Sequence, residues 1–105
     1  MHKVNLVFSK KGAMKYISHL DLMRLFMRAL RRAGLPLKIT EGFSPHPKLS
    51  IKRALKLGLE SDHEEATVGL KEFVAAQDFK ERLQKQLPPG IQIKDILNYE
   101  QRNLN

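Results

Sequence analysis

Residues 3–9 alternate, with Val4, Leu6 and Phe8 on one side and Lys3, Asn5 and Ser9 on the other, the pattern of a strand with one buried face. Val7 stands on the polar side as a single exposed valine. Lys10-Lys11-Gly12 reads as a turn, and residues 14–17 as a short returning strand. A period near 3.6 then sets in. Ser18 is suited to cap a helix, with Asp21 three residues on as the shorter acid of a capping box. The helix is predicted over 19–33, with Gly34 at the left-handed position after its end and Pro36 barring continuation. Leu22, Phe26, Ala29, Leu30 and Ala33 share its apolar side, flanked by Met23, Leu25 and Met27. Arg24, Arg28, Arg31 and Arg32 fill an arc of about 100° opposite.

Residues 36–40 read as a second strand, followed by a loop over 41–48 that two prolines stiffen. Alternation resumes over 49–59, with Arg53 on the apolar side, where it must snorkel or sit at a rim. Residues 61–65 read as a polar turn and 66–73 as a strand. Residues 76–87 form a second helix with Ala76, Phe79, Leu83 and Leu87 on its stripe, ended by Pro88-Pro89-Gly90. Residues 91–97 make a last strand, and 98–105 a frayed tail. The order β, α, β, β, α, β predicts one α+β domain over 1–97. It is a ferredoxin-like split βαβ sandwich, an antiparallel sheet with both helices on one face and the other face open.

The length, 105 residues, allows a single core. Charge changes the picture: 19 Lys and Arg against 11 Asp and Glu give a net +8. A small domain this basic is expected to meet a polyanion. The excess is confined to residues 1–60, which carry 13 basic and 3 acidic side chains, so the binding surface should come from that half. The absence of cysteine excludes disulfides, a thiolate-held iron–sulfur cluster, a cysteine nucleophile and thiolate zinc sites. No secretory leader and no membrane-spanning run is seen, and a cytoplasmic setting is the expectation.

The strings Tyr16-Ile17-Ser18-His19-Leu20-Asp21, Arg31-Arg32-Ala33-Gly34-Leu35-Pro36 and Gly42-Phe43-Ser44-Pro45-His46-Pro47-Lys48-Leu49-Ser50 occur in this order between Phe8-Ser9-Lys10-Lys11-Gly12 and Leu57-Gly58-Leu59. Together they resemble the uncharacterised bacterial family of radical-SAM-linked, or radical-SAM-associated, proteins, over the N-terminal half of its members. One departure is basic: Lys52, Arg53 and Lys56 stand where that family tends to be apolar and to carry proline. The resemblance implies a role in RNA modification or handling beside a radical-SAM or RNA-processing enzyme. Without thiolates this chain cannot itself be the radical-SAM enzyme.

Guanidinium forks take phosphate oxygens in pairs, so Arg24, Arg28, Arg31 and Arg32 are the first candidates for RNA binding. Lys10, Lys11, Lys48, Lys52 and Lys56 would extend the track. His19 at the helix start, with Phe43 and His46 in what reads as the neighbouring loop, would contact the bound strand. Each feature has a plainer reading: a solvated arginine face, His19 as merely the first helical residue, Phe43 folded back over the core. Lys3, Asn5, Lys52 and Lys56 should project from the open sheet face as a phosphate platform without the stacking aromatics of an RRM. The histidines share no metal-ligand spacing, and no phosphate loop is present, so neither metal nor cofactor is expected. Ser18, His19 and Asp21 cannot form a triad, because neighbouring helix positions diverge by about 100°. The leading expectation is an RNA-binding accessory domain. The alternatives are a module docking on an acidic partner and a small metal-independent ribonuclease using His19 or His46 as acid or base.

Overall fold

The computed structural model describes residues 2–101. Four strands form one antiparallel sheet in the order β2-β3-β1-β4: β1 is His2–Lys10, β2 Leu49–Ile51, β3 Ser61–Leu70 and β4 Ile91–Gln101. Two helices, α1 (His19–Arg32) and α2 (Ala76–Gln84), complete the α+β arrangement, consistent with the ferredoxin-like split βαβ fold.

The sheet is built round β1. Val4, Leu6 and Phe8 pair with Val68, Ala66 and Glu64 of β3, and Leu6, Phe8 and Lys10 with Ile96, Ile93 and Ile91 of β4. Opposed residues share a face, so Val4, Leu6, Phe8, Ala66, Val68 and Ile93 make one apolar surface. The helices cover it: Leu22, Phe26, Ala29 and Leu30 of α1 and Phe79 and Leu83 of α2 are buried in the same core. The rings of Phe8 and Phe26 lie 4.9 Å apart and are tilted by 58°.

The first helix is held as its residues dictate. Ser18 Oγ accepts the Asp21 N–H at 3.1 Å, and Gly34 follows the C-cap Ala33 with φ of 69°. The carbonyls left over at that end are taken from outside the helix. Arg82 of α2 donates through Nε to Ala33 O and through Nη2 to Gly34 O.

Several predicted elements differ. Residues 14–17 are not a strand: Gly12–Tyr16 is a 3₁₀ turn that Gly90 meets closely, Lys11 N–H donating to Gly90 O at 2.9 Å. Residues 36–40 do not form a full strand. They make isolated bridges, Leu37 with Leu70 and Ile39 with Pro47, so that 37–48 is a small hairpin hung on the end of β3. The alternating run 49–59 keeps its strand only to Ile51. Lys52 N–H makes the last backbone bond to β3, at Glu65 O, and the chain then turns toward the 3₁₀ segment, where Gly58 N–H meets Lys15 O and Gly12 N–H meets the Glu60 carboxylate. Leu57 and Leu59 are consequently exposed.

The polar run 61–65 is the start of β3 rather than a turn, because β1 supplies its partners. Val7 is 4% exposed, not open; it lies in the central strand between Glu65 and Asp95. The second helix stops at Gln84, whose side chain is drawn to β4, donating to Ile91 O and accepting from Ile93 N–H. Ala76 is exposed, and Leu87 lies past the helix end. The last strand runs to Gln101, past the expected end at 97; residues 102–105, the rest of the expected tail, lie outside the described residues.

Candidate nucleic-acid interface

Arg24, Arg28, Arg31 and Arg32 are all exposed on the side of α1 turned away from the sheet. Among the described residues their one ion pair is Arg24 with Asp21, 3.6 Å apart and mostly solvated. Such a contact adds little, so the ridge keeps its charge available. Arg31 and Arg32 also stand in the last turn, where cations offset the negative end of the helix dipole. Arg28 and Arg32 line a groove of 430 Å³ with Lys85 and Gln86, floored by Leu25, Ala29, Leu87 and Pro88. Lys85 is a cation that sequence reasoning missed. It lies in the half of the chain with acidic excess, and only the packing of α2 beside α1 brings it to the arginines.

Three acids of that half lie away from the ridge. Asp62, Glu64 and Glu65, at the start of β3, take Lys11, Arg53 and Lys52 respectively. The hydrogen bond and charge of Lys11 hold the Asp62 carboxyl below the usual carboxylate range, and Asp62 raises Lys11 in turn. Glu65 is lowered by hydrogen bonds from His63 and Lys52. Burial pushes the Glu64 carboxyl up, but hydrogen bonds from Arg53 and Ser61, with the charges of Arg53 and Lys10, outweigh it and leave the group lowered. Lys11 and Lys52 are therefore each matched by a carboxylate, in ion pairs that remain open to solvent. Lys10 is 1% exposed at the end of β1 and cannot face a ligand. Lys56 is exposed, but in the irregular segment after β2 rather than on the sheet.

Thr40 and His46 close the hairpin: Thr40 N–H donates to His46 O and His46 N–H to Thr40 Oγ1. Its tip, 41–45, turns at Gly42 with φ of 122° and presents Phe43 fully exposed. Phe43 is no plug on the core; the residue of this loop that is buried is Pro47. His46 is half-buried, and its Nδ1 lies 3.0 Å from Pro47 O, which needs the ring proton on Nδ1 because a carbonyl only accepts.

The hairpin and the helix start are not neighbours. His19, half-buried, follows the end of β1 at Lys10. The hairpin is bonded to Gly69 and Leu70, which pair with Lys3 and His2 at the beginning of β1. The length of β1 puts about 25 Å between these ends. His19 therefore does not join Phe43 and His46, and the two histidines do not form one centre.

The remaining predicted cations also divide. Lys48 is exposed on the sheet face opposite the helices, beside Lys3, while the arginines lie on the helical layer. On that open face Thr67 Oγ1 donates to Asn5 Oδ1 at 2.6 Å. Among the described residues no group of three His, Cys, Asp or Glu is placed to hold a metal ion, and no helix is long and apolar enough to cross a membrane.

A family described as an uncharacterised protein conserved in bacteria (DUF2344) matches residues 3–104. No curated protein and no solved structure matches the chain.

Proposed function

The chain belongs to that bacterial family, and we propose that it is an RNA-binding accessory domain that captures phosphates along α1 and presents the strand to a partner enzyme. A radical-SAM modifier or an RNA-processing protein, met in the cytoplasm, suits the part. One observation carries the reading: four exposed arginines on one helix face, of which only Arg24 has an ion pair among the described residues. A row of guanidiniums matches a polymer that repeats its negative charge, and binding releases condensed counterions. Lys85 widens the ridge into the groove beside Arg28 and Arg32. Phe43, at the far end of the sheet, offers a face on which a base of a longer strand can stack.

The test is binding of a labelled single-stranded RNA followed across about 50 to 200 mM salt, where each phosphate contact adds about −0.7 to the slope of log K against log salt. A steep slope that flattens when Arg24, Arg28, Arg31 and Arg32 become Gln supports the reading. RNA binding that is absent at low salt overturns it and leaves the ridge as a dock for an acidic protein surface. The ribonuclease alternative loses any two-histidine form, since His19 and His46 stand at opposite ends of β1.

A further inference from the structure

Gly69, near the end of β3, sits among three lysines. Lys3 is its register partner across the β1–β3 ladder. Its N–H donates to Lys48 O and its C=O accepts from Lys38 N–H, both at 2.9 Å. A Cβ at Gly69 would lie 3.2 Å from Lys48 Cβ and 3.3 Å from Lys38 Cβ, so both stems rise beside the bare Cα. Alternation places this position on the open face: Val68 and Leu70 are buried in the core, while Thr67 bonds Asn5 on the outer side. A groove of 230 Å³ opens there, lined by Lys3, Lys48, Leu49, Ser50, Thr67 and Gly69.

None of Lys3, Lys38 and Lys48 is in an ion pair among the described residues. The carboxylates at the start of β3 are engaged with Lys11, Lys52 and Arg53, toward the other end of the strand. The backbone sets Glu100 of β4 opposite Lys3, but among the described side chains no carboxylate pairs with these three lysines; ammonium groups brought close repel one another, and an anion between them removes that cost. We propose that this groove is a seat for a phosphomonoester: Lys3 and Lys48, which line it, hold the phosphate with Lys38 beside them, the exposed Ser50 hydroxyl donates to it, and the missing side chain of Gly69 makes its floor.

Convergence selects the ligand. The α1 arginines follow one another along a helix at about 1.5 Å rise per residue, which suits a row of monoanionic diesters. Lysine stems clustered beside one glycine, rather than strung along a helix, suit a single group of higher charge, and a monoester is a dianion above its second pKa of about 6. Either a free nucleoside monophosphate or the phosphorylated end of an RNA supplies that chemistry. The seat uses no residue of the arginine ridge and lies on the opposite face, so it stands or fails separately from RNA capture by α1.

The experiment is an amide chemical-shift titration of the full chain with adenosine 5′-monophosphate, adenosine, and a short oligonucleotide with and without a 5′-phosphate. The monophosphate should shift the Gly69, Lys48 and Thr67 amides, and adenosine should not. Lys3→Gln and Lys48→Gln should each weaken binding roughly tenfold, as for the loss of one charge-assisted bond. The arginine-to-glutamine variant of α1 should leave these shifts unchanged. Lowering the pH from about 7 to 5 should weaken the complex severalfold, because the monoester takes up a proton and loses one of its two charges. Tighter binding of the 5′-phosphorylated oligonucleotide than of the mononucleotide identifies an RNA end as the source; equal affinity identifies the free ester. Equal shifts with adenosine and its monophosphate, or binding untouched in the Lys3→Gln, Lys48→Gln double variant, would overturn the proposal.

Discussion

Arg53 grips Glu64 through two nitrogens, with Nη2 2.6 Å from Oε2 and Nε 3.1 Å and 3.2 Å from the two carboxylate oxygens. The Glu64 side chain is 2% exposed, and Arg53 reaches it from the residues just past β2. This pair gives the inner face of β3 an acid that the fold tolerates only because it is bonded. It also explains why an arginine interrupts the apolar side of the 49–59 pattern.

Acid should therefore weaken the domain in a particular window. The carboxyls of Glu64, Asp62 and Glu65 are all held below their ordinary values. Groups lowered in the folded state add stability above the unfolded value, near about 4, and lose it as pH falls through the folded one. Thermal melts should be nearly flat from about pH 7 to 5 and drop below about pH 4. Glu64→Gln should flatten that drop. An unchanged acid limb in the variant would remove Glu64 from this role.

Gly90 is required by closeness, not by its backbone angles. A Cβ there would stand 2.5 Å from Lys11 O and 2.5 Å from Met14 Cγ. Gly90→Ala must push the 88–90 loop off the 3₁₀ turn and should cost about 2 kcal/mol. Urea denaturation, read at unchanged m, measures it.

The junction between the helices rests on Arg82, which donates to Ala33 O and Gly34 O and pairs with Asp78. Arg82→Ala leaves the end of α1 without these donors and should cost about 1–2 kcal/mol. Amide exchange should speed up most in the last turn of α1. Uniform acceleration across the chain would point to general loosening instead.

Phe43 and Phe26 make a contrasting pair. Phe26 is fully buried against Phe8, and Phe26→Ala should cost about 3–5 kcal/mol. Phe43→Ala should leave the melting temperature unchanged while weakening binding of an RNA long enough to reach the hairpin by about 1–3 kcal/mol. A stability loss at Phe43 would contradict its exposure.

The first helix was legible in nearly every respect. Its cap at Ser18, its stop at Gly34 and its division between Phe26 and the arginines depend on neighbours within a few residues. The false strand at 52–59 and the missed one at 61–65 have a common cause. A strand forms only where a partner strand exists: β1 pairs with Glu64 and Glu65, whereas among the described residues no strand pairs with 53–59. The cations were visible by type but not by employment. Lys10 is buried, and Lys11 and Lys52 are matched by carboxylates more than ten residues away.

By itself the sequence determined the helices, the alternation of β1, the order of the elements and the excess of positive charge, because periodicity, capping and composition are local or additive properties. Only the tertiary structure decided which cations stay open, that Lys85 joins the α1 ridge, that three lysines surround Gly69, and that His19 and His46 lie at opposite ends of the sheet. Those relations come from pairing between distant strands and from which face each strand turns to the helices, and such pairings are settled by the fold as a whole.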